Sequence, residues 1–324
     1  MPESGFEFRA AVEAAHARIR PQALETPIEP SPELSARGVA EVFLKMENLQ
    51  RTGSFKLRGA MNKLQALGPE ARARGIVTAS SGNHGAAISW ALAALGGRGV
   101  IFVPENVSPA KLAAIRDHAA EVRPFGTDSG LCEIEARRFA GEQGLPYISP
   151  YNDPDIIAGQ GTVGLEIARQ IDRADAVFVA LGGGGLIAGI GGYLKAIGRR
   201  VEMVACSPEN SAVMHHSIAA GRVLEMESKP TLSDGTAGGV EPGAITLDLC
   251  RALVDHRVLV SEDEIAAAMR LVIGRHHTLI EGAAGVAVAA YLKEKERYGG
   301  RRVVIVLCGA NIGLDRLGEV LRAS

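Results

Sequence analysis

Lys56 is the residue in this chain best placed to act as a nucleophile. It stands in Asn48-Leu49-Gln50-Arg51-Thr52-Gly53-Ser54-Phe55-Lys56-Leu57-Arg58-Gly59-Ala60, between a strand-like run, Glu41 to Met46, and a helix-like run, Leu57 to Leu67. A free lysine amine has a pKa of ~10.4 and is charged at neutral pH. Held at the mouth of a sheet and desolvated, it loses its proton and can attack an electrophile. A lysine read alone is first a solvated surface charge, so the case for Lys56 rests on its company.

That company is three more loops, each following an apolar strand-like run: Ser80-Ser81-Gly82-Asn83-His84-Gly85, Gly182-Gly183-Gly184-Gly185, and Cys308-Gly309-Ala310-Asn311. The tetraglycine is the sharpest signal. A strand that ends in four glycines and runs into a helix exposes backbone N–H groups beside the positive end of the helix, which makes a phosphate cradle. A flexible turn is the bland alternative. Gly183-x-Gly185-x-x-Ala188 also matches a dinucleotide fingerprint, with Glu202 and Glu209 as candidate ribose acids, so a nicotinamide enzyme stays open. The Ser81-Asn83 loop could hold a carboxylate by the same helix-start logic, or could simply cap a helix. Cys308 ends the last strand, where a parallel sheet presents ligand-binding residues, and its thiol could touch a neutral ring nitrogen. The pairs His215-His216 and His276-His277 lack metal-ligand spacing and read as ordinary helix-face residues.

Composition narrows the function classes. The chain has 324 residues, 47% hydrophobic and 22% charged, enough for two lobes with their own cores. A net charge of −2 leaves no footprint for nucleic acid or an anionic membrane, and 4% aromatics leave no base-stacking platform. No apolar run approaches the ~18–20 residues of a membrane span, and the acidic start Met1 to Glu7 lacks a signal region, so a cytoplasmic protein is expected. Cys132, Cys206, Cys250 and Cys308 are scattered and suggest neither disulfides nor zinc.

The loops must be carried by alternating elements. Residues 6–20 read as a helix with Phe8, Val12, Ala15 and Ile19 on one stripe. Pro27 to Pro32 excludes helix. Strands are expected at 41–46, 75–79, 99–103, 121–125, 176–181, 201–206 and 303–307. Helices are expected at 83–95, 128–142 with Leu131, Ile134 and Phe139 inward, 155–171, 186–197, 262–274 and 281–296. Ser108-Pro109 has the form of an N-cap and a first-turn proline. Such alternation argues for an α/β protein with mostly parallel sheets covered on both faces. A smaller lobe, 74–147, inserted into a larger one, 1–73 and 148–324, fits this order.

Taken together, the four loops resemble the fold-type II, pyridoxal-phosphate-dependent serine/threonine dehydratases and serine racemases. Glu47 to Ala60 is similar to the family's cofactor-lysine segment, Ser80 to Gly85 to its substrate-carboxylate loop, Gly182 to Leu186 to its phosphate loop, and Cys308 to Asn311 to the loop under the pyridine nitrogen. The order matches and the resemblance spans almost the whole chain.

The resemblance implies a tryptophan synthase β-like, two-lobed fold and a cofactor, pyridoxal 5′-phosphate. Lys56 would be its covalent anchor and then the base at the substrate Cα. Phe55 would flank the ring and Asn83 would approach its 3′-oxygen. Gly182, Gly183, Gly184, Gly185 and Leu186 would bind the phosphate, and Cys308 would meet the ring nitrogen. Ser80, Ser81, Gly82, Asn83 and His84 would hold the substrate, Ser81 at the racemases' second proton-donor position. The activity implied is an ammonia-lyase acting on L-threonine or L-serine, in a homodimer. The family alternatives are a racemase and a dehydratase of a hydroxyaspartate or of a hydroxyectoine breakdown product, with Ser233 to Gly243 as the place to look for that difference. Two departures stand out. Ser207 occupies the position of the racemases' acidic cation ligand, with Glu209 as a substitute, so no metal is assigned. The sequence ends at Ser324, so isoleucine feedback through a C-terminal regulatory domain is not expected.

Overall fold

The structure, a computed structural model, describes residues 6–35, 40–107, 109–116, 118, 120–127 and 129–322. Among them the strands are β1 (Ile28–Pro30), β2 (Ala40–Lys45), β3 (Ile76–Ala79), β4 (Gly99–Val103), β5 (Glu121–Pro124), β6 (Ala176–Ala180), β7 (Glu202–Pro208), β8 (His256–Val260) and β9 (Arg301–Val306). One sheet has the order β1-β2-β9-β6-β7-β8 and the other β3-β4-β5. Every pairing is parallel except β1 with β2.

Burial explains the strand sequences. Ala176 to Ala180 is buried throughout, because helices cover both faces of the larger sheet, and such a strand needs no alternation. Phe178 sits at the centre, with its ring 5.7 Å from Tyr291 and 5.1 Å from Tyr298. The helix Phe8–Ile19 buries the stripe read from its spacing: Phe8, Val12, Ala15 and Ile19.

Two strands escape the sequence pattern, for different reasons. β8 opens with His256-Arg257 and takes its place by pairing with β7, from Val204↔His256 to Pro208↔Val260. β1 contains Pro30, which is tolerated because the strand lies at the sheet edge.

The helix Ser129–Gln143 is rotated from the expected face. Leu131 and Ile134 point outward, 43% and 68% exposed, and the buried face is Cys132, Ala136 and Ala140. Small side chains let this helix lie close to the smaller sheet, and Phe139 covers Phe102 with ring centroids 5.7 Å apart. The helix Pro109–Arg116 follows Ser108, whose expected capping role lies outside the described residues.

Candidate active site

Lys56 opens the helix Lys56–Ala66. The loop before it is fastened to the end of the last strand: Asn48 N donates to Leu307 O at 2.8 Å and Phe55 N to Cys308 O at 3.1 Å. Gly53 makes the turn with φ 70°, and a Cβ there would stand 2.6 Å from Asn311 Oδ1. Lys56 is therefore held at the C-terminal edge of β2 and β9. Its Nζ donates to Pro150 O at 2.8 Å and lies 5.3 Å from the centre of the Phe55 ring. Burial lowers the amine pKa to about 8, while Cys308 and Glu281 pull it the other way.

The tetraglycine connects β6 to the helix Gly185–Ala196. Gly184 has φ 86°, a conformation glycine adopts without strain. The space above the loop is already taken on one side. A Cβ on Gly183 would come 2.3 Å from the Tyr151 ring, and one on Gly182 would come 3.0 Å from Thr236 Cα. The first N–H groups of the helix have no partner within it and point to the same side as the dipole's positive end.

Ser80, Ser81 and Gly82 lead into the helix Asn83–Leu95. Gly85 lets the chain turn closely, since a Cβ there would sit 2.4 Å from Ser80 O. Asn83 Nδ2 donates to both Glu281 oxygens, at 2.9 and 3.0 Å. Asn311 donates to Glu281 through its backbone N at 3.0 Å and to Asn83 Oδ1 through its side chain at 2.6 Å. Gly309 fits only because it lacks a Cβ, which would lie 2.7 Å from Glu281 Oε1. Glu281 is thus the centre of the site, and the sequence reading missed it. The signal available was an acidic residue at the foot of the helix Gly282–Glu294, and that alone does not separate a site residue from a cap.

His84 is placed differently from its neighbours. It is buried, with Nε2 3.4 Å from Ile148 O, and burial, reinforced by the Lys56 charge, drops its pKa to about 3. It is a neutral imidazole packed in the wall of the loop. Cys308 is buried, and burial followed by the Glu281 charge raises its pKa well above the ordinary thiol range. It remains a protonated, neutral thiol.

The geometry also removes Glu202 from the candidate ribose acids. Glu202 pairs with Ala176 at the start of its strand, the opposite end of the sheet from the glycines, and is tied to Arg297 and Arg301 at 2.6 and 3.0 Å. Glu209 is on the surface, 4.0 Å from Lys293. Ser207 Oγ donates to Leu181 O at 3.3 Å. Among the described residues no three His, Cys, Asp or Glu side chains converge on a metal position.

Comparison with known proteins gives the family and the fold. A family described as pyridoxal-phosphate-dependent enzyme matches residues 19–309. The catabolic L-threonine dehydratase TdcB of Escherichia coli (strain K12) is 39% identical over 94% of this chain and 93% of its own. The processed form of threonine deaminase isoform 2 from Solanum lycopersicum superposes with a TM-score of 0.92 at 33% identity, covering 98% of this chain and 87% of that one. Maize serine racemase superposes with a TM-score of 0.90 at 30% identity, covering 97% and 96%.

Proposed function

The chain belongs to the pyridoxal-phosphate-dependent enzyme family, and from that premise we propose that it is an ammonia-lyase converting L-threonine or L-serine to a 2-oxo acid and ammonia. The observation that carries this reading is the Lys56 amine, fixed by Pro150 O and held near pKa 8 at the end of a parallel sheet.

The residues fit the cofactor. Side chains are excluded from the glycine loop, where a Cβ on Gly183 would meet the Tyr151 ring and one on Gly182 would meet Thr236, so its backbone lies bare beside the helix start. Gly182 to Leu186 would bind the phosphate through backbone N–H groups. Phe55 would flank the ring, Asn83 would reach the ring oxygen, and Cys308 would meet the ring nitrogen as a neutral group. Bound pyridoxal phosphate supplies the electron sink for the bond broken at Cα. Lys56 would hold it at its amine, and the neutral nitrogen of Lys56 would take the proton from the substrate Cα. Ser80, Ser81, Gly82 and Asn83 would receive the substrate carboxylate at their helix start. Residues 74–147 form, on this reading, a lobe that closes over the substrate held by 1–73 and 148–324.

Ser81, half-buried in the same loop, supports a second reading, racemisation by a proton donor on the face opposite Lys56. We propose further that the enzyme works as a cytoplasmic homodimer. No helix among the described residues is long and apolar enough to cross a membrane.

The test is a visible spectrum of the purified protein, then separate additions of L-threonine, L-serine and threo-3-hydroxyaspartate. A yellow band bleached by borohydride, with fastest 2-oxo acid release from threonine or serine, is expected. Fastest release from hydroxyaspartate would replace the substrate. Enantiomer appearing in unconsumed serine faster than 2-oxo acid would favour the racemase.

A further inference from the structure

Glu241 lies in the stretch between the short helix Asp234–Thr236 and the helix Ile245–Leu253, and neither the motifs nor the proposed chemistry uses it. Its carboxylate is nonetheless 9% exposed and fully engaged. Oε1 accepts from Ser149 Oγ at 2.5 Å. Oε2 accepts from Asn152 Nδ2 at 2.9 Å and from Arg137 Nη2 at 2.5 Å. Its backbone N donates to Tyr151 Oη at 2.7 Å.

Ser149, Tyr151 and Asn152 belong to one four-residue turn, and that turn is the common support of the two halves of the site. Pro150 O holds the Lys56 amine, and the Tyr151 ring packs on Gly183. The turn is also tied internally, Asn152 N donating to Ser149 Oγ at 3.0 Å, and Asn152 Oδ1 accepts from Ile245 N at 2.9 Å.

Arg137 reaches this hub from the helix Ser129–Gln143, which packs on the smaller sheet. Its guanidinium lies 4.1 Å from the centre of the Tyr147 ring and also binds Glu133 at 2.9 Å. Two carboxylates therefore share one guanidinium. Burial raises the Glu133 pKa, and the Glu241 charge raises it further. Withdrawing the helix would carry Glu133 away with Arg137 and leave the Glu241 carboxylate with only the neutral donors Ser149 and Asn152, so the arrangement is complete only when the helix of the smaller sheet is docked.

We propose that Arg137 and Glu241 form an interlobe clasp, positioning residues that set the Lys56 amine and the phosphate cradle when the smaller lobe closes. This rests on reading 74–147 as a closing lobe. It does not depend on which amino acid is the substrate.

The test compares Arg137→Met, Arg137→Lys, Glu241→Gln and the double variant Arg137→Met/Glu241→Gln. The first readout is the pyridoxal phosphate Kd, titrated by visible absorbance without substrate. The second is KM against kcat for the amino acid turned over fastest, and the third is the Tm of the cofactor-free protein. Arg137→Met and Glu241→Gln are each expected to raise the Kd and KM about tenfold with kcat changed less, Arg137→Lys to recover part of the loss, and the double variant to be no worse than the worse single one. An unchanged Kd and KM in Arg137→Met would overturn the clasp, as would single effects that add in the double variant. A fall in Tm that accounts for the whole change in Kd would reduce the pair to a structural contact. If neither threonine nor serine is turned over, the substrate assignment fails while the Kd measurements still decide the clasp.

Discussion

At the scale of single residues, the site is defined by which groups carry charge. A lysine of pKa about 8 has roughly a tenth of its amine neutral at pH 7, whereas an ordinary lysine has less than about a thousandth. Burial, the largest cause, disfavours the ammonium, so the reactive form predominates above pH 8 and is lost below it. Covalent capture of pyridoxal phosphate by the cofactor-free protein should rise about tenfold from pH 7 to pH 9 and then level off, as followed by stopped-flow absorbance. A rate still climbing steeply beyond pH 10 would mean an ordinary lysine. Cys308 gives a complementary test. Its thiol is kept protonated by burial and by Glu281, so a neutral replacement should be tolerated and an anionic one should not. Cys308→Ser should keep kcat/KM within about threefold, whereas Cys308→Asp, a second buried carboxylate near Glu281, should lower it by about tenfold or more. Equal activity of the two variants would show that charge at this position does not matter.

At the scale of elements, glycines decide how closely the loops approach one another. Gly183→Ala would drive a Cβ to 2.3 Å from the Tyr151 ring, which cannot swing away without releasing its hydrogen bond to Glu241 N. Cofactor affinity should fall about tenfold or more, read by the same titration. Gly141→Ala is the matched control. It lies in a helix with nothing within 4 Å of a new Cβ, and it should raise stability by about 0.5–1 kcal/mol in urea unfolding. If both substitutions proved neutral, close approach at the cradle would not matter. The same elements show what could be read from the chain. Strands such as Ala176–Ala180 and the cradle after it were legible because a strand buried on both faces is an unbroken apolar run. The orientation of Ser129–Gln143 was not, because its buried face is built from Cys132, Ala136 and Ala140, and its larger apolar residues face out. Local pattern cannot reveal that a neighbouring sheet needs small residues. Glu281, Tyr151 and Glu241 were invisible for a related reason: each joins the site through contacts with residues far away in the chain.

At the scale of the molecule, much of the segment around Lys56 serves to hold it rather than to react. Arg58, two residues on, is 1% exposed and donates to Glu47 at 2.7 Å and to Glu166 at 2.6 Å; Lys45, fully buried, donates to Glu166 at 2.6 Å. Two cations and two anions thus close a neutral network inside the protein. Burial works against the charged forms of Lys45, Glu47 and Arg58, yet Arg58 lowers the Glu47 pKa, and Glu47 with Glu166 raises that of Arg58. Lys45 shows the cost, its pKa lowered first of all by burial. The network ties the strand β2, the helix carrying Lys56 and the helix Pro154–Gln170, whose start follows the turn containing Pro150. The lysine is therefore fixed from two sides, through Arg58 to Glu166 on the long helix and through Nζ to Pro150 O in the turn that precedes it. Breaking such a network by removing one partner leaves a buried charge without compensation, at a cost of about 3–5 kcal/mol. Arg58→Met should lower unfolding stability by that amount in urea and weaken cofactor retention. Lys63→Met is the comparison, because Lys63 pairs with Asp153 and Asp155 near the surface of the same two helices and should cost no more than about 1 kcal/mol. Should Arg58→Met unfold no more easily than Lys63→Met, the buried network would not be what holds the lysine, and its position would have to come from the packing of the helix alone.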